Sequence, residues 1–189
     1  MTANPASITI PTLLSADEFA TLHSHHRMEL VKGYPKILPI PGAQHEKVCM
    51  TIGRLIGNHV ADNDLGHVMG NDTFIQTGTN PDSVRGADVL FIPYDRLPRD
   101  QVPPGVLRVV PTVVIEVRSP SDRWPDTVIK VGEYLNIGVG AVLVLDVPTR
   151  TVSIFRDQDQ WQQILEPEAE LTLPDLLPGF AVSVRKLFE

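Results

Sequence analysis

The strongest periodicity in the chain begins after Pro41-Gly42. His45, Val48, Cys49, Ile52, Leu55, Ile56, His59 and Val60 recur at intervals of three and four residues, which keeps them on one face of a helix. Asn63, Asp64 and Gly66 close that helix. Upstream, after an irregular lead-in over residues 1–14, Ser15 and Glu18 form a capping box and predict a short helix through SADEFATLHSHH. RMELV and PKILP read as a hairpin-like pair joined through Lys32-Gly33-Tyr34. Short strands GHVM, DTFIQT and ADVLFI follow, then a Pro-rich loop over about residues 93–111. PTVVIEV and AVLVLDV are near-continuous apolar runs, as expected of central strands buried on both faces. Between them Ser119-Pro120-Ser121-Asp122 breaks the chain, a helix is predicted over about residues 126–137, and Gly138 and Gly140 end it. TVSIFR and QWQQIL read as peripheral strands, and LPDLLPG and VRKLF finish the chain.

The strand–helix–strand unit over residues 112–146 is the spine of this pattern, with a right-handed crossover if its strands are parallel neighbours. The fold class is therefore α/β (α+β with a mixed sheet), helices packing against a central mixed β-sheet. No repeat or linker divides the chain, so residues 15–189 are expected to form a single domain. With 189 residues, 42% of them hydrophobic, a core can form without disulfides or a structural metal. Cys49 is the only cysteine; it sits mid-stripe as a core residue, and no Cys/His cluster has zinc spacing. His23, His25 and His26 are not spaced to share a metal. No apolar run approaches the roughly 18 residues needed to cross a bilayer, and the N-terminus lacks a secretory pattern, so no membrane association and a cytoplasmic location are expected. The formal charge of −7 and the lack of a basic run oppose a simple nucleic-acid binder, which neutralises phosphates with clustered Lys and Arg. Nucleic acid would need a local patch, a bridging metal or a groove between subunits.

Two carboxylates interrupt apolar strands: Asp88 in ADVLFI and Glu116 in VVIEVRS. Ionised carboxylates are costly to bury unless paired or bound to metal. Acids on adjacent strand ends, with a backbone carbonyl, suit Mg²⁺ and its preference for hard oxygen ligands. Each acid could instead pair with an Arg, such as Arg85 or Arg118. Asp126, Lys130 and Tyr134 share one helix face; spacing alone makes Asp126–Lys130 a solvated ion pair of about 0.2–0.5 kcal/mol, and Tyr134 a packing residue whose hydroxyl reaches a polar neighbour. His45 opens the long helix, where the dipole favours the neutral imidazole. It could contact a phosphate or a metal-bound water, or be satisfied at the core rim. Trp124 and Trp161 could stack on bases or pack locally.

Arg27-Met28-Glu29-Leu30-Val31-Lys32-Gly33, His45, Ala87-Asp88-Val89, Glu116-Val117-Arg118-Ser119-Pro120-Ser121-Asp122, Asp126, Lys130, Tyr134 and Gly138 together resemble the Uma-type restriction endonucleases, a branch of the PD-(D/E)XK nuclease superfamily. The resemblance runs from about residue 15 to the C-terminal LPGF and LF. It implies a restriction-endonuclease-like fold and a Mg²⁺-dependent endonuclease, with Mn²⁺ as a substitute, that acts as a homodimer on nucleic acid, DNA in the first place. Asp88 matches the first acid of the superfamily core, with Ala87 where proline is usual, and Glu116 the second. The Val117 carbonyl would be the third metal ligand, and Glu29 an additional ligand or a positioner of water. Arg118 stands where the superfamily lysine is expected and cannot serve as a base; Lys130 takes over the lysine role, with His45, Arg118 and Tyr134 as accessories. The alternative is a non-catalytic homodimeric scaffold, supported by the acidic charge, the absent basic patch and Arg118. The Gly53 and Gly57 spacing would let another backbone approach, in a dimer or in the core. A metal-dependent hydrolase of smaller phosphoesters is a third option.

Overall fold

The computed structural model describes residues 12–22, 27–120, 122–157 and 162–189. His23, His25, His26, Ser121 and Trp161, weighed above, lie outside the described residues. The Ser15–Glu18 capping box is formed, and it starts α1 (Ala16–Ala20), which ends at the Thr21 C-cap, short of the expected run through SADEFATLHSHH. The hairpin is β1 (Met28–Val31) and β2 (Tyr34–Ile37), paired antiparallel. The amphipathic stripe is α2 (Ala43–Asp62), which buries His45, Val48, Ile52, Ile56 and Val60.

GHVM and DTFIQT, read as separate strands, are one: β3 (Gly66–Gly78), paired antiparallel along β4 (Ser83–Pro93). The misreading came from Gly70-Asn71-Asp72, which looks like a turn. Asn71 and Asp72 do adopt positive φ, 58° each, but as a bulge within a continuing strand. Pairing passes from Gly70↔Val89 to Thr73↔Ala87, so two β3 residues stand opposite Asp88 alone. The side-chain alternation of β4 slips at the same place: Ala87, Leu90 and Ile92 join one apolar cluster, Val89 and Phe91 the other.

β5 (Val113–Arg118) and β6 (Ala141–Asp146) pair in parallel, from Val113↔Ala141 to Arg118↔Asp146. Their crossover is α3 (Trp124–Asn136), starting two residues before the expected 126 with Pro125 in its first turn. β7 (Thr151–Phe155) and β8 (Gln163–Leu165) extend the sheet, giving eight strands in the order β2-β1-β4-β5-β6-β7-β8, with β3 on β4. β9 (Glu170–Leu173) and β10 (Leu177–Ser183) form a separate hairpin, followed by α4 (Arg185–Phe188). This hairpin was not legible in LPDLLPG; its Leu171, Leu173, Leu177 and Phe180 join α2 on one face of the sheet. Val131 and Tyr134 of α3 pack on the other face with Val114, Val142 and Val144.

A strand has two edges, and β3 occupies one edge of β4. On the other, β1 pairs near the start of β4 (Leu30↔Val84) and β5 near its end (Val89↔Ile115). Between those pairings lies a notch at Gly86 whose backbone groups no strand takes up, and buried backbone groups must find other partners. The candidate site fills that notch. Where β3 begins, Gly66 leaves no room for a side chain: a Cβ there would lie 2.2 Å from the Ile92 carbonyl oxygen. Gly66→Ala should push β3 off β4 and cost about 1–3 kcal/mol, read as a lowered urea midpoint; an unchanged midpoint would show that the strand yields freely.

Candidate active site

Lys130 enters the notch from α3. Its Nζ donates to the Gly86 carbonyl at 2.7 Å and to Glu116 Oε2 at 2.7 Å, and lies 3.0 Å from Glu29 Oε1. An ammonium has three N–H donors, and each has an acceptor here. The solvated pair with Asp126 expected from spacing is not formed: helix periodicity places Lys130 on a face, but a long side chain reaches over the strand end to buried acids. The Gly86 N–H donates to Glu29 Oε1 at 3.1 Å, so both backbone groups of Gly86 are met by side chains.

Glu116 lies on the α3 face of β5, since strand alternation sets it with Val114 and opposite Ile115 and Val117. Its second oxygen accepts from the Tyr134 hydroxyl at 3.0 Å; Tyr134 is fully buried, as expected of a packing residue with a polar tip. Asp88 Oδ2 accepts from the Val117 N–H at 2.7 Å and lies 3.3 Å from His45 Nε2. N–H and C=O of one strand residue point to the same side, so the Val117 carbonyl faces as its N–H does. Asp88 Oδ1 is 3.4 Å from Arg27, which also grips both oxygens of Asp72 in the β3 bulge.

Neither arginine proposed as a partner for these acids serves that purpose. Arg85 holds Glu29 at 2.9 Å and takes Glu133 in a fork at 2.7 and 2.6 Å, with Thr77 donating to Glu133 at 3.0 Å. Arg118 turns to its parallel neighbour Asp146 at 2.9 Å and to the Asp122 carbonyl at 3.2 Å. Among the described residues it bonds none of Glu29, Asp88 and Glu116. Glu133 was not foreseen, and neither were the pairings of Arg85 with Glu29 and of Arg27 with Asp72, because each is set by contact between distant segments. A cleft of about 260 Å³ opens onto Arg27, Glu29, His45, Asp88, Glu116 and Lys130.

The electrostatics follow from burial. Desolvation drives Glu116 up to about 8, with Asp88 and Glu29 adding repulsion against the pull of Lys130. Burial alone would lower Lys130, but Glu116, Glu29 and Asp88 outweigh it, so the ammonium is held as a cation. Burial would raise Glu29 and Asp88, yet both end below the usual carboxylate range, Glu29 through Lys130 and Arg85, Asp88 through His45 and Lys130. For His45, burial lowers the imidazole, but the hydrogen bond and charge of Asp88, with Glu46, override it and leave it raised. Glu29, Asp88 and Glu116 thus converge on Lys130, while Arg85 and Arg27 are shared with Glu133 and Asp72. The site offers hard oxygen donors in Asp88 and Glu116, a chemistry that fits a divalent cation, whose binding would displace the Glu116 proton.

Cys49 is half-buried, not sealed in the core, and its Sγ lies 3.5 Å from His45 Nδ1. With Asp88 these donors fall within 4.8 Å of one another. A Cys/His cluster was not expected from spacing; two of its donors are one turn apart on α2, but only the tertiary fold adds the third.

The sequence profile of the Uma2 family, described as "putative restriction endonuclease", matches residues 16–185. The chain belongs to the Uma2 family. Its fold is that of a solved "putative nuclease belonging to DUF820" from Anabaena variabilis: TM-score 0.80 at 20% identity, covering 93% of this chain and 97% of that one. No curated protein matches the chain. Among the described residues no helix of this Uma2 protein is long and apolar enough to cross a membrane.

Glu116 sets a pH dependence of stability in the metal-free protein. A carboxyl raised from 4.5 to about 8 on folding binds more protons native than unfolded between those values, so its contribution falls as pH rises through that window. His45, also raised, adds the same sign above 6.5. Glu116→Gln should therefore be more stable than wild type at pH 8 and lose most of that advantage by pH 5, measured by urea unfolding at both. A difference between the two proteins that does not change with pH would contradict the burial argument.

Proposed function

We propose that this Uma2 protein is a Mg²⁺-dependent endonuclease that hydrolyses phosphodiester bonds in nucleic acid, with DNA as the substrate to test first. The observation that carries this is the convergence of Asp88, Glu116 and Lys130, from three separate elements, at a notch in the sheet that opens on a cleft. Family membership and the nuclease-like fold support the same reading. Asp88, Glu116 and the Val117 carbonyl would hold the ion. When bound, it supplies Lewis-acid polarisation of the phosphoryl group and a lowered pKa for water.

The remaining work falls to this chain's own side chains. Water adds to phosphorus as the bond to the leaving ester oxygen breaks. Charge then builds on the phosphoryl oxygens, and Lys130, held cationic by its acids and lining the cleft, offsets it through space. Glu29 positions Lys130 and ties it to the Gly86 backbone, and Arg85 keeps Glu29 ionised. Tyr134 orients Glu116, and His45 with Arg27 orients Asp88. Arg118, engaged with Asp146, braces the end of β5 against β6 in this scheme and does not replace the superfamily lysine.

Calorimetric titration of Mn²⁺ and a cleavage assay test the assignment together. Asp88→Ala and Glu116→Ala should each abolish saturable Mn²⁺ binding and cleavage; full metal affinity in either would remove it from the ligand set. Lys130→Met should keep Mn²⁺ binding and lower kcat about 10²–10³-fold. A wild-type protein that binds no Mn²⁺ and cuts nothing would leave the scaffold reading standing.

A further inference from the structure

Asp88 and His45 form a wall with a cavity on each side. One is the cleft with Glu29, Glu116 and Lys130. The other, about 500 Å³, opens between α2 and β3 and is lined by softer groups, among them Cys49, Met50 and Met69. His45 and Cys49 stand four residues apart on α2, so their side chains stack one turn over the other. His45 Nε2 is 3.3 Å from Asp88 Oδ2 and 4.0 Å from Cys49 Sγ, with Nδ1 at 3.5 Å. Tetrahedral Zn²⁺ with bonds of about 2.0–2.3 Å sets its ligand atoms about 3.3 Å apart for N and O, and about 3.5 Å apart for N and S. Cys49 Sγ and an Asp88 carboxylate oxygen also lie within 4.8 Å of one another, a gap that a turn of the half-buried Cys49 side chain would have to shorten to about 3.5 Å.

We propose that His45, Cys49 and Asp88 form a second, softer metal site, selective for Zn²⁺, that shares Asp88 with the hard-ion site and disables it when filled. The regulatory half of this rests on the endonuclease reading; the site itself does not. Imidazole and thiolate donors suit Zn²⁺ and repel Mg²⁺, which demands oxygen ligands in octahedral array. The cavity on the α2–β3 side gives the ion a path and room for a water as fourth ligand, the open position typical of three-ligand zinc sites. On binding, the Cys49 thiol proton leaves to solvent as the Zn–S bond forms, and no electron changes hands. Asp88 Oδ2 then donates to Zn²⁺ and is withdrawn from the hard ion. Arg27, 3.4 Å from Asp88 Oδ1, is also paired with Asp72.

Co²⁺ is the spectroscopic stand-in. Because Cys49 is the only cysteine, a near-ultraviolet thiolate-to-cobalt band in the metal-free full chain reports this site alone. The expected result is a band saturating at one Co²⁺ per chain and bleached by Zn²⁺. Cys49→Ser should abolish it, with Cys49→Ala as a second variant if serine disturbs folding by circular dichroism, and His45→Ala should weaken Co²⁺ binding at least tenfold. One equivalent of Zn²⁺ should weaken Mn²⁺ binding at least tenfold more in wild type than in Cys49→Ser, where Zn²⁺ can compete only directly at the hard-ion site; equal weakening in both overturns the control. No thiolate band in wild type overturns the site, and Mn²⁺ binding indifferent to bound Zn²⁺ overturns its control of the hard ion. A thiolate band in a protein that never binds Mn²⁺ upholds the soft site and sinks the Mg²⁺-endonuclease reading instead.

Discussion

A single ammonium, Lys130 Nζ, joins α3 to three strands: β5 through Glu116, β1 through Glu29, and β4 through the Gly86 carbonyl. Taking such a charge out of water costs several kcal/mol unless opposite charges and hydrogen bonds replace the water. The arrangement is self-consistent only when all three strands are in place, since losing any one strands a buried charge. Lys130 also explains the ionisation pattern around it. It lowers Asp88 and Glu29, whereas Glu116 stays high despite being its closest carboxylate, because desolvation and the repulsion of Asp88 and Glu29 outweigh that pull. Removing Lys130 would expose all three acids to each other's repulsion.

The notch that Lys130 fills is a consequence of sheet topology. β1 and β5 share an edge of β4 without meeting, and the gap between them needs polar occupants because Gly86 has unpaired backbone groups there. Directly beyond it, the β3 bulge places two residues against Asp88 and brings Asp72 to Arg27. Bulges re-aim side chains at the cost of a ladder bond or two, and this one coincides with the slip that turns Asp88 toward His45 on α2. Asp88 and Glu116 thereby receive support from helices on opposite faces of the sheet, α2 and α3.

This division has a chemical consequence. The α3 side of Asp88 carries oxygen and ammonium groups, and the α2 side carries imidazole, thiol and thioether. One carboxylate borders two environments of different hardness. The overall charge of −7 is no obstacle to an anionic substrate if the decisive charges are local, because exposed charges beyond about 8–10 Å are largely screened.

Much of the scaffold was legible in the chain. The stripe from His45 to Val60, the capping box at Ser15 and the apolar runs around Val114 and Leu143 each satisfy a local rule of periodicity or turn chemistry, and each became a helix or strand as expected, although the helix opened at Ser15 stops at Ala20. Asp88 and Glu116 announced themselves because a carboxylate in an apolar strand demands an explanation wherever the strand lies. The partners of those acids were a different matter. Lys130 on spacing belonged to Asp126, Arg118 stood next to the acids in sequence yet turned to Asp146, and nothing at the helix start announced that His45 meets Asp88. The β3 bulge, the Arg85 fork and the nearness of Cys49 to Asp88 left no mark on the local pattern. Local rules operate over a turn of helix or a few strand residues, whereas pairing between buried charges is set by which segments the sheet makes neighbours. Periodicity and apolar runs therefore determined the elements, and strand order, register and side-chain reach decided which charges meet.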